Sequence, residues 1–241
     1  MKLFAVYTRE HAVLKDDWFL KTLKDPFELH LKDIGSLGSD RAVFGNEPWL
    51  KAVRIRHDYY RHAIEQNQGE TIIVCDLDIQ FFGRCLPTIE KAMEGRDIVF
   101  QSENWPFKGR VNSGFVCVRC NPQTLALYSE VGDTAFEKLP IADQTALNAL
   151  LAEDKDRVRW GIFGNRIWAK SQGSLPPYGV LLHHANCTRG VEDKIEQLRW
   201  ARDFVRARRR NPYRLAASYL RSRRQERKQQ RRERKRQEAG P

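Results

Sequence analysis

Eight residues, Ile72-Ile73-Val74-Cys75-Asp76-Leu77-Asp78-Ile79, constrain the fold of this chain more than any other stretch. Apolar residues, three of them β-branched, run directly into two acids at i and i+2. That run has the length and branching of a strand buried on both faces, as in a parallel sheet. A buried strand does not hold free carboxylates, so Asp76 and Asp78 belong where the strand leaves the core. In open α/β sheets, ligands bind at that carboxyl edge. Two carboxylates there can share a divalent cation, and oxygen donors suit Mg2+ or Mn2+. A strand end with two solvated acids fits the same residues, so the rest of the chain has to separate the two readings.

Around this stretch strand-like and helix-like segments alternate, which predicts an α/β fold. Residues 3–8 predict a central strand. Residues 11–24 predict a helix with apolar positions at Val13, Leu14, Trp18, Leu20 and Leu23, and 27–31 a strand with one wetter face. A glycine-rich loop at 35–39 precedes a helix from Glu47, with Pro48 in its first turn. After the central stretch come a helix at 85–94 and a short strand at 97–100. Val111-Asn112-Ser113-Gly114 then leads into a β-rich run. Asn121 and Pro122 supply an N-cap and a first-turn proline for a helix through Tyr128. A helix at 141–151 carries Asp143 and Gln144 in its first turn, where an acid favours the helix dipole. Strands are predicted at 158–162 and 178–183, split by a loop at 171–177.

Charge divides the chain. Residues 199–241 hold 17 Lys and Arg against 4 Asp and Glu, whereas 1–198 hold 25 basic and 27 acidic residues. The whole excess of +11 therefore sits in the tail. This predicts a catalytic or binding domain at 1–198 and a basic extension at 199–241, helical or disordered. Polyanions are the partners such a tail fits, either an anionic membrane surface or RNA. Trp200, Phe204, Val205, Leu215, Tyr219 and Leu220 are interspersed with Arg on a helical pattern, which favours the membrane surface. The N-terminus meets charge too early for a secretory h-region, and no apolar run is long enough to span a bilayer. The cysteines at 75, 85, 117, 120 and 187 form no disulfide framework, so a reducing, cytoplasmic setting is expected, with a peripheral place at the inner membrane face. Cys117 and Cys120 are spaced C-x-x-C, but on a strand i and i+3 point to opposite faces.

The last predicted strand runs into His183-His184-Ala185-Asn186, with Gly190 and Lys194 beyond. A histidine at the polar end of an apolar strand serves either structure or ligation. Asp76 and Asp78 lack a third protein ligand nearby, and neutral imidazole is a competent ligand for Mn2+. His184 is therefore the candidate third ligand.

The ordered set resembles a GT-A fold nucleotide-diphospho-sugar transferase, close to glycosyltransferase family 77 and related to family 8. The matching pieces are Ala5-Val6-Tyr7-Thr8, a helix holding Lys51, Asp76-Leu77-Asp78, Asn112-Ser113-Gly114-Phe115, Asp143-Gln144, and His184-Ala185-Asn186 followed by Gly190 and Lys194. The resemblance spans 1–198. It implies a Rossmann-like, mixed but mostly parallel sheet flanked by helices, with the basic extension appended. It further implies that Tyr7 and Thr8 lie by the base or ribose and that Lys51 faces the nucleotide pocket. Asp76 would contact ribose or metal, Asp78 would bind metal, and His184 would complete the metal site. Lys194 would meet the diphosphate, with Asn186 and Gly190 beside it. Asn112 and Ser113 would touch the donor sugar, and Asp143 and Gln144 the sugar and reacting face. Family 8 members commonly carry an acid after Asp-Gln, and here it is Thr145.

What the resemblance implies is chemically coherent. Cleaving a sugar–phosphate bond leaves negative charge on the departing nucleoside diphosphate, which Mn2+ or Mg2+ and a lysine stabilise. The relatives named retain anomeric configuration, so retention is expected, with a glycan, lipid or protein acceptor. Gln144 is a poor nucleophile, which favours a same-face route without a covalent enzyme intermediate. Asp76-Leu77-Asp78 after an apolar strand also resembles the first motif of haloacid-dehalogenase-type phosphatases. That motif normally opens its fold, and here about 70 residues of βαβ-like sequence precede it. A third reading is a nucleic-acid or membrane-binding protein that acts through its basic tail.

Overall fold

The computed structural model describes residues 1–36, 38, 47–103, 109–138, 141–169, 174–186, 188 and 190–210. The chain divides into two compact units, Met1–Arg199 and Trp200–Pro241. Among the described residues the strands are β1 (Lys2–Tyr7), β2 (Glu28–Asp33), β3 (Thr71–Cys75), β4 (Ile79–Phe81), β5 (Ile98–Ser102), β6 (Val111–Arg119), β7 (Trp160–Ile162), β8 (Ile167–Ala169) and β9 (Leu182–His184). The α-helices are α1 (Glu47–Gln66), α2 (Leu86–Met93), α3 (Pro122–Gly132), α4 (Asp143–Glu153) and α5 (Gly190–Arg210).

The main sheet has the order β2-β1-β3-β6-β5-β7. Each neighbouring pair is parallel except those of β6, which runs against both β3 and β5. The predicted mixed, mostly parallel sheet is thus present. Its centre is β3, where all of Ile72, Ile73, Val74 and Cys75 are fully buried. Alternation sends Ile72 and Val74 to a core with Phe4, Ile98, Phe100, Val116 and residues of α1, α3 and α4. Ile73 and Cys75 face a second core with Leu3, Phe19, Val99, Phe115 and residues of α2. Two covered faces explain why the run has no polar alternation. Each large side chain buried there is worth about 1.5–3 kcal/mol.

A second, three-stranded sheet, β4-β9-β8, closes over the second core. Neither β4 nor β8 was expected. The predicted helix at 11–24 is present as one helical run over 9–22, tight at Arg9–His11 and wide, π-type, at Leu14–Leu20. The wider turn serves two cores at once. Leu14 and Trp18 pack with Ala185, Val191 and Leu198, while Phe19 meets the Phe81 ring edge-on at 5.3 Å. The strand predicted at 178–183 starts only at Leu182, because Tyr178 is 86% exposed and Gly179 turns the chain at φ +69. Asn112, Ser113 and Gly114 lie inside β6 rather than before it. Asn121 caps α3 as predicted, accepting from Thr124 N–H at 2.9 Å, and the helix runs on to Gly132.

Cys75, Cys85, Cys117 and Cys120 are buried free thiols. Cys117 belongs to one core and Cys120 to the other, the opposite-face placement expected of C-x-x-C on a strand. Burial pushes both thiols up to about 12. Trp105, Pro106, Cys187, Leu215, Tyr219 and Leu220 lie outside the described residues, as do parts of the loops at 35–39 and 171–177.

Candidate functional site

The sheet topology brings three distant residues to one point. Asp76 follows the last residue of β3, and its N–H donates to Gly114 O across to β6 at 2.8 Å. The Tyr60 hydroxyl, from α1, holds the Cys75 carbonyl just before it at 2.5 Å. Asp78 stands at the mouth of β4. Antiparallel pairing of β4 with β9 sets Ile79 opposite His184, and Ala185 N–H donates to Asp78 O at 2.9 Å. His184 Nε2 consequently lies 3.5 Å from Asp76 Oδ2 and 3.3 Å from Asp78 Oδ1. One ligating atom from each of Asp76, Asp78 and His184 lies within 4.8 Å of the others.

Two features orient the imidazole. Its Nδ1 is 3.0 Å from Gln101 Oε1, an acceptor for an Nδ1–H, which turns Nε2 towards the acids. Gly114 leaves it room: a Cβ there would lie 2.1 Å from His184 Cε1 and 2.8 Å from Asp76 Oδ2. The adjacent His183 points to the other face of β9, stacked on Trp168 at 4.5 Å and bonded to Gln80. Strand alternation thus separates a structural histidine from one aimed at the acids.

Two cations pair with the carboxylates. Lys194 Nζ lies 2.5 Å from Asp78 Oδ2. Burial alone would raise the Asp78 carboxyl, but Lys194 and then His184 hold it below the usual carboxylate range. Arg56, on α1, spans Asp76 Oδ1 at 2.5 Å and Asp143 Oδ2 at 2.7 Å, and its Nη2 reaches Ser113 Oγ at 3.4 Å. Burial pulls the Arg56 guanidinium down, yet Asp143 and Asp76 together push it well above its ordinary value. It is therefore a permanent cation linking the strand-end acids to the start of α4.

At the mouth of β6 the ladder to β5 breaks. Phe100 pairs with Val116, but Gln101 pairs with Asn112, leaving the residues between out of register. On the other side of β6, beyond the end of its pairing with β3 at Phe115, helix α4 supplies side-chain partners. Asn148 Oδ1 accepts from Val111 N–H at 2.8 Å and its Nδ2 donates to Val111 O at 2.9 Å, as a strand partner would. Gln144 Oε1 accepts from Ser113 N–H at 3.0 Å. Asp143 is buried, with Oδ1 accepting from Gln144 N–H at 2.8 Å and Oδ2 held by Arg56.

The remaining predicted residues are spread around this centre. Tyr7 and Thr8 end β1 at the same sheet edge; Thr8 Oγ1 is 2.7 Å from His11 Nδ1, and Lys15 lies over the Tyr7 ring at 5.0 Å. Asn112 is buried, donating to Glu103 and accepting from Gly114 N–H. Asn186 is buried with its Oδ1 unpaired among the described residues. Gly190 opens α5 at φ +80, a left-handed conformation that favours glycine. Lys51 is exposed on α1, and the helix's buried stripe sends Arg56 to the acids instead. Sequence reasoning missed Arg56 and Gln101. A cation among Val53, His57, Tyr60 and Ile64 on the buried stripe was the available signal for Arg56. A polar residue straight after Ile98-Val99-Phe100 was the signal for Gln101.

The donor set of two carboxylates and one imidazole, the latter backed by an amide oxygen, fits a hard divalent cation such as Mg2+ or Mn2+. Asp76, Asp78 and His184 would hold it.

Comparisons with known proteins bear on this arrangement. No curated protein sequence matches the chain. Among solved structures, a glycosyltransferase involved in glycosylating the major capsid of PBCV-1 superposes with a TM-score of 0.57 at 12% identity, over 83% of this chain and 100% of that one. Mouse xyloside xylosyltransferase 1 superposes with a TM-score of 0.50 at 12% identity, over 79% and 99%. The glycosyltransferase GlyE of Streptococcus pneumoniae TIGR4 gives 0.51 at 11% identity, over 76% of this chain but only 54% of its own length. The chain therefore spans about half of that protein. The shared architecture is the GT-A fold. The sequence profile of the nucleotide-diphospho-sugar transferases matches residues 36–198, which takes in Asp76 and Asp78, the β6 mouth, the start of α4 and Lys194. Sequence and fold agree, and the chain belongs to the nucleotide-diphospho-sugar transferase family.

Proposed function

We propose that this protein is a glycosyltransferase that moves a sugar from a nucleoside-diphosphate donor to a glycan, lipid or protein acceptor, with Mn2+ or Mg2+ as cofactor and with retention of configuration. The observation that carries the proposal is the meeting of Asp76, Asp78 and His184 at the carboxyl edge of the sheet, with Lys194 on one side and Arg56 on the other. A bound divalent cation would neutralise the donor diphosphate and the charge that develops on it. Lys194 adds a point charge suited to the same phosphates. Arg56 fixes Asp143, and Gln144 is anchored on Ser113 N–H, so both would face the sugar from a rigid helix start.

Both Asp143 oxygens are committed, one to Arg56 and one to Gln144 N–H, which makes that carboxylate a poor nucleophile. This supports a same-face transfer. In it the sugar C1–O bond to phosphate breaks, the acceptor oxygen bonds C1 from the same side, and its proton passes to the departing phosphate oxygen. Trapping a glycosyl adduct on any carboxylate would refute this route. The family match leaves the phosphatase reading without support. We also propose that the enzyme works in the cytoplasm, with its basic tail on an anionic membrane surface. No described helix is long and apolar enough to cross a membrane.

The test is a panel of sugar nucleotides with Mn2+, read by nucleotide release. Wild type is expected to cleave one donor well above the rest, and Asp78→Ala to lose about a hundredfold or more, the scale of removing one charge-stabilising group. Equal rates for wild type and variant with every donor would overturn the proposal.

A further inference from the structure

A cleft of about 740 Å³ opens beside the site and is not used by any residue assigned above. Its walls are Val111 at the β6 mouth, Leu151 and Ala152 on the last turns of α4, and Trp160, Ile162 and Phe163 on and after β7. Its lining is mostly apolar; Asn148 is already committed to Val111, and Lys155 stands exposed at the rim. Its volume lies in the range that encloses a small organic ligand.

The position of the cleft says what such a ligand is attached to. Strands β5 and β7 run parallel to one another, and β5 and β3 both run against β6, so all three leave the sheet at one edge. Asp76 marks that edge on β3, while Ser102 on β5 and Phe163 after β7 mark it at the cleft. At about 4.8 Å per strand, β5 and β7 stand roughly 10–14 Å from β3, the length of one or two sugar rings. One direct contact ties the cleft to the site. Asn148 is one helical turn from Gln144 and donates to its carbonyl at 2.8 Å.

We infer that this cleft holds the apolar aglycone of the acceptor, an alkyl or aryl group linked to the sugar that receives the transfer. The inference rests on the glycosyltransferase reading. An apolar wall at that span gains nothing from a free sugar, whose hydroxyls it cannot bond, whereas it removes an alkyl chain from water.

The experiment uses the full chain and its best sugar nucleotide with acceptor sugars offered free and as n-octyl glycosides below micellar concentration. Wild type is expected to show a KM for the octyl form lower by about tenfold or more, as burial of a few methylenes allows. Ala152→Trp places a large ring into the cleft from an exposed helix position, so folding is spared. In that variant the ratio of the two KM values is expected to fall towards one, and because it is a ratio a general loss of rate cancels. Calorimetry of n-octyl glucoside against glucose, without donor, reads the cleft alone. Equal affinity for the two, or an octyl preference untouched by Ala152→Trp, overturns the inference. A wild type that cleaves no sugar nucleotide yet binds the octyl glycoside through Ala152-lined space overturns the catalytic reading and leaves an apolar site.

Discussion

Gly114 is a glycine for reasons of space. A methyl group there would overlap His184 Cε1 at 2.1 Å and crowd Asp76 Oδ2 at 2.8 Å, and neither neighbour has a soft direction to move. His184 is pinned through Nδ1 to Gln101, and Asp76 through Oδ1 to Arg56. Gly114→Ala is therefore expected to lower Mn2+ affinity by about tenfold or more, the usual cost of disturbing the groups that orient a ligand. Calorimetric titration of Mn2+ checks this, with a thermal melt to show that the variant is folded; a folded variant with wild-type affinity would show the space to be unimportant. The sequence exposed Asp76, Asp78 and His184 because each is a polar residue at the end of an apolar strand, a contradiction that burial alone explains. Gly114 was visible as part of the motif, but its role was not, since the overlap exists only once β9 lies against β6. Arg56 was harder still. On a helix with many charges, one arginine on the buried stripe looks like its neighbours until the strand ends it bridges are placed.

At the scale of elements, the mouth of β6 shows how a helix can replace a strand. Beyond the point where β3 stops pairing with β6, Asn148 gives Val111 both a donor and an acceptor. Asn148→Leu keeps the bulk but leaves a buried N–H and C=O unpaired, at about 1–3 kcal/mol for each lost partner. The expected result is a lower denaturant midpoint with an unchanged slope, and a wild-type midpoint would mean that the pairing carries no stability. Elements with long patterns were legible: β1, β3, α1, α3 and α4 all lie where apolar periodicity and capping residues put them. The three-residue strands β4 and β8 were not, because so short a run has no periodicity and exists only through pairing with β9. The helix at 11–24 was legible from its apolar spacing but its π-type widening was not, because Leu14, Trp18 and Phe19 answer to two different cores.

The whole molecule is electrically lopsided, and that follows from sequence alone. Residues 211–241 contribute 11 basic and 3 acidic residues to a chain whose first 198 residues are close to neutral. Within the second unit, Trp200 is 42% exposed and lies tilted against Phe204 at 5.7 Å, and Arg208 lies over the same ring at 5.7 Å. These positions recur every four residues, so aromatic rings and a guanidinium share one stripe of α5. Such a stripe suits a lipid headgroup layer, where rings sit at the acyl boundary and arginines reach phosphates. Each basic residue near an anionic surface adds about 1 kcal/mol, and salt weakens it. The full chain is accordingly expected to sediment with phosphatidylserine vesicles and not with phosphatidylcholine ones, and to be released as salt rises. Deleting 211–241 removes most of the charge while sparing α5, and is expected to weaken sedimentation strongly; Trp200→Ser in the full chain is expected to weaken it less. Unchanged sedimentation of the deletion would refute the membrane assignment. Retention on RNA with a steep salt dependence, and none on vesicles, would transfer the tail to nucleic acid. Under the membrane outcome the lipid surface that attracts the tail is also a source of acceptors with an apolar aglycone.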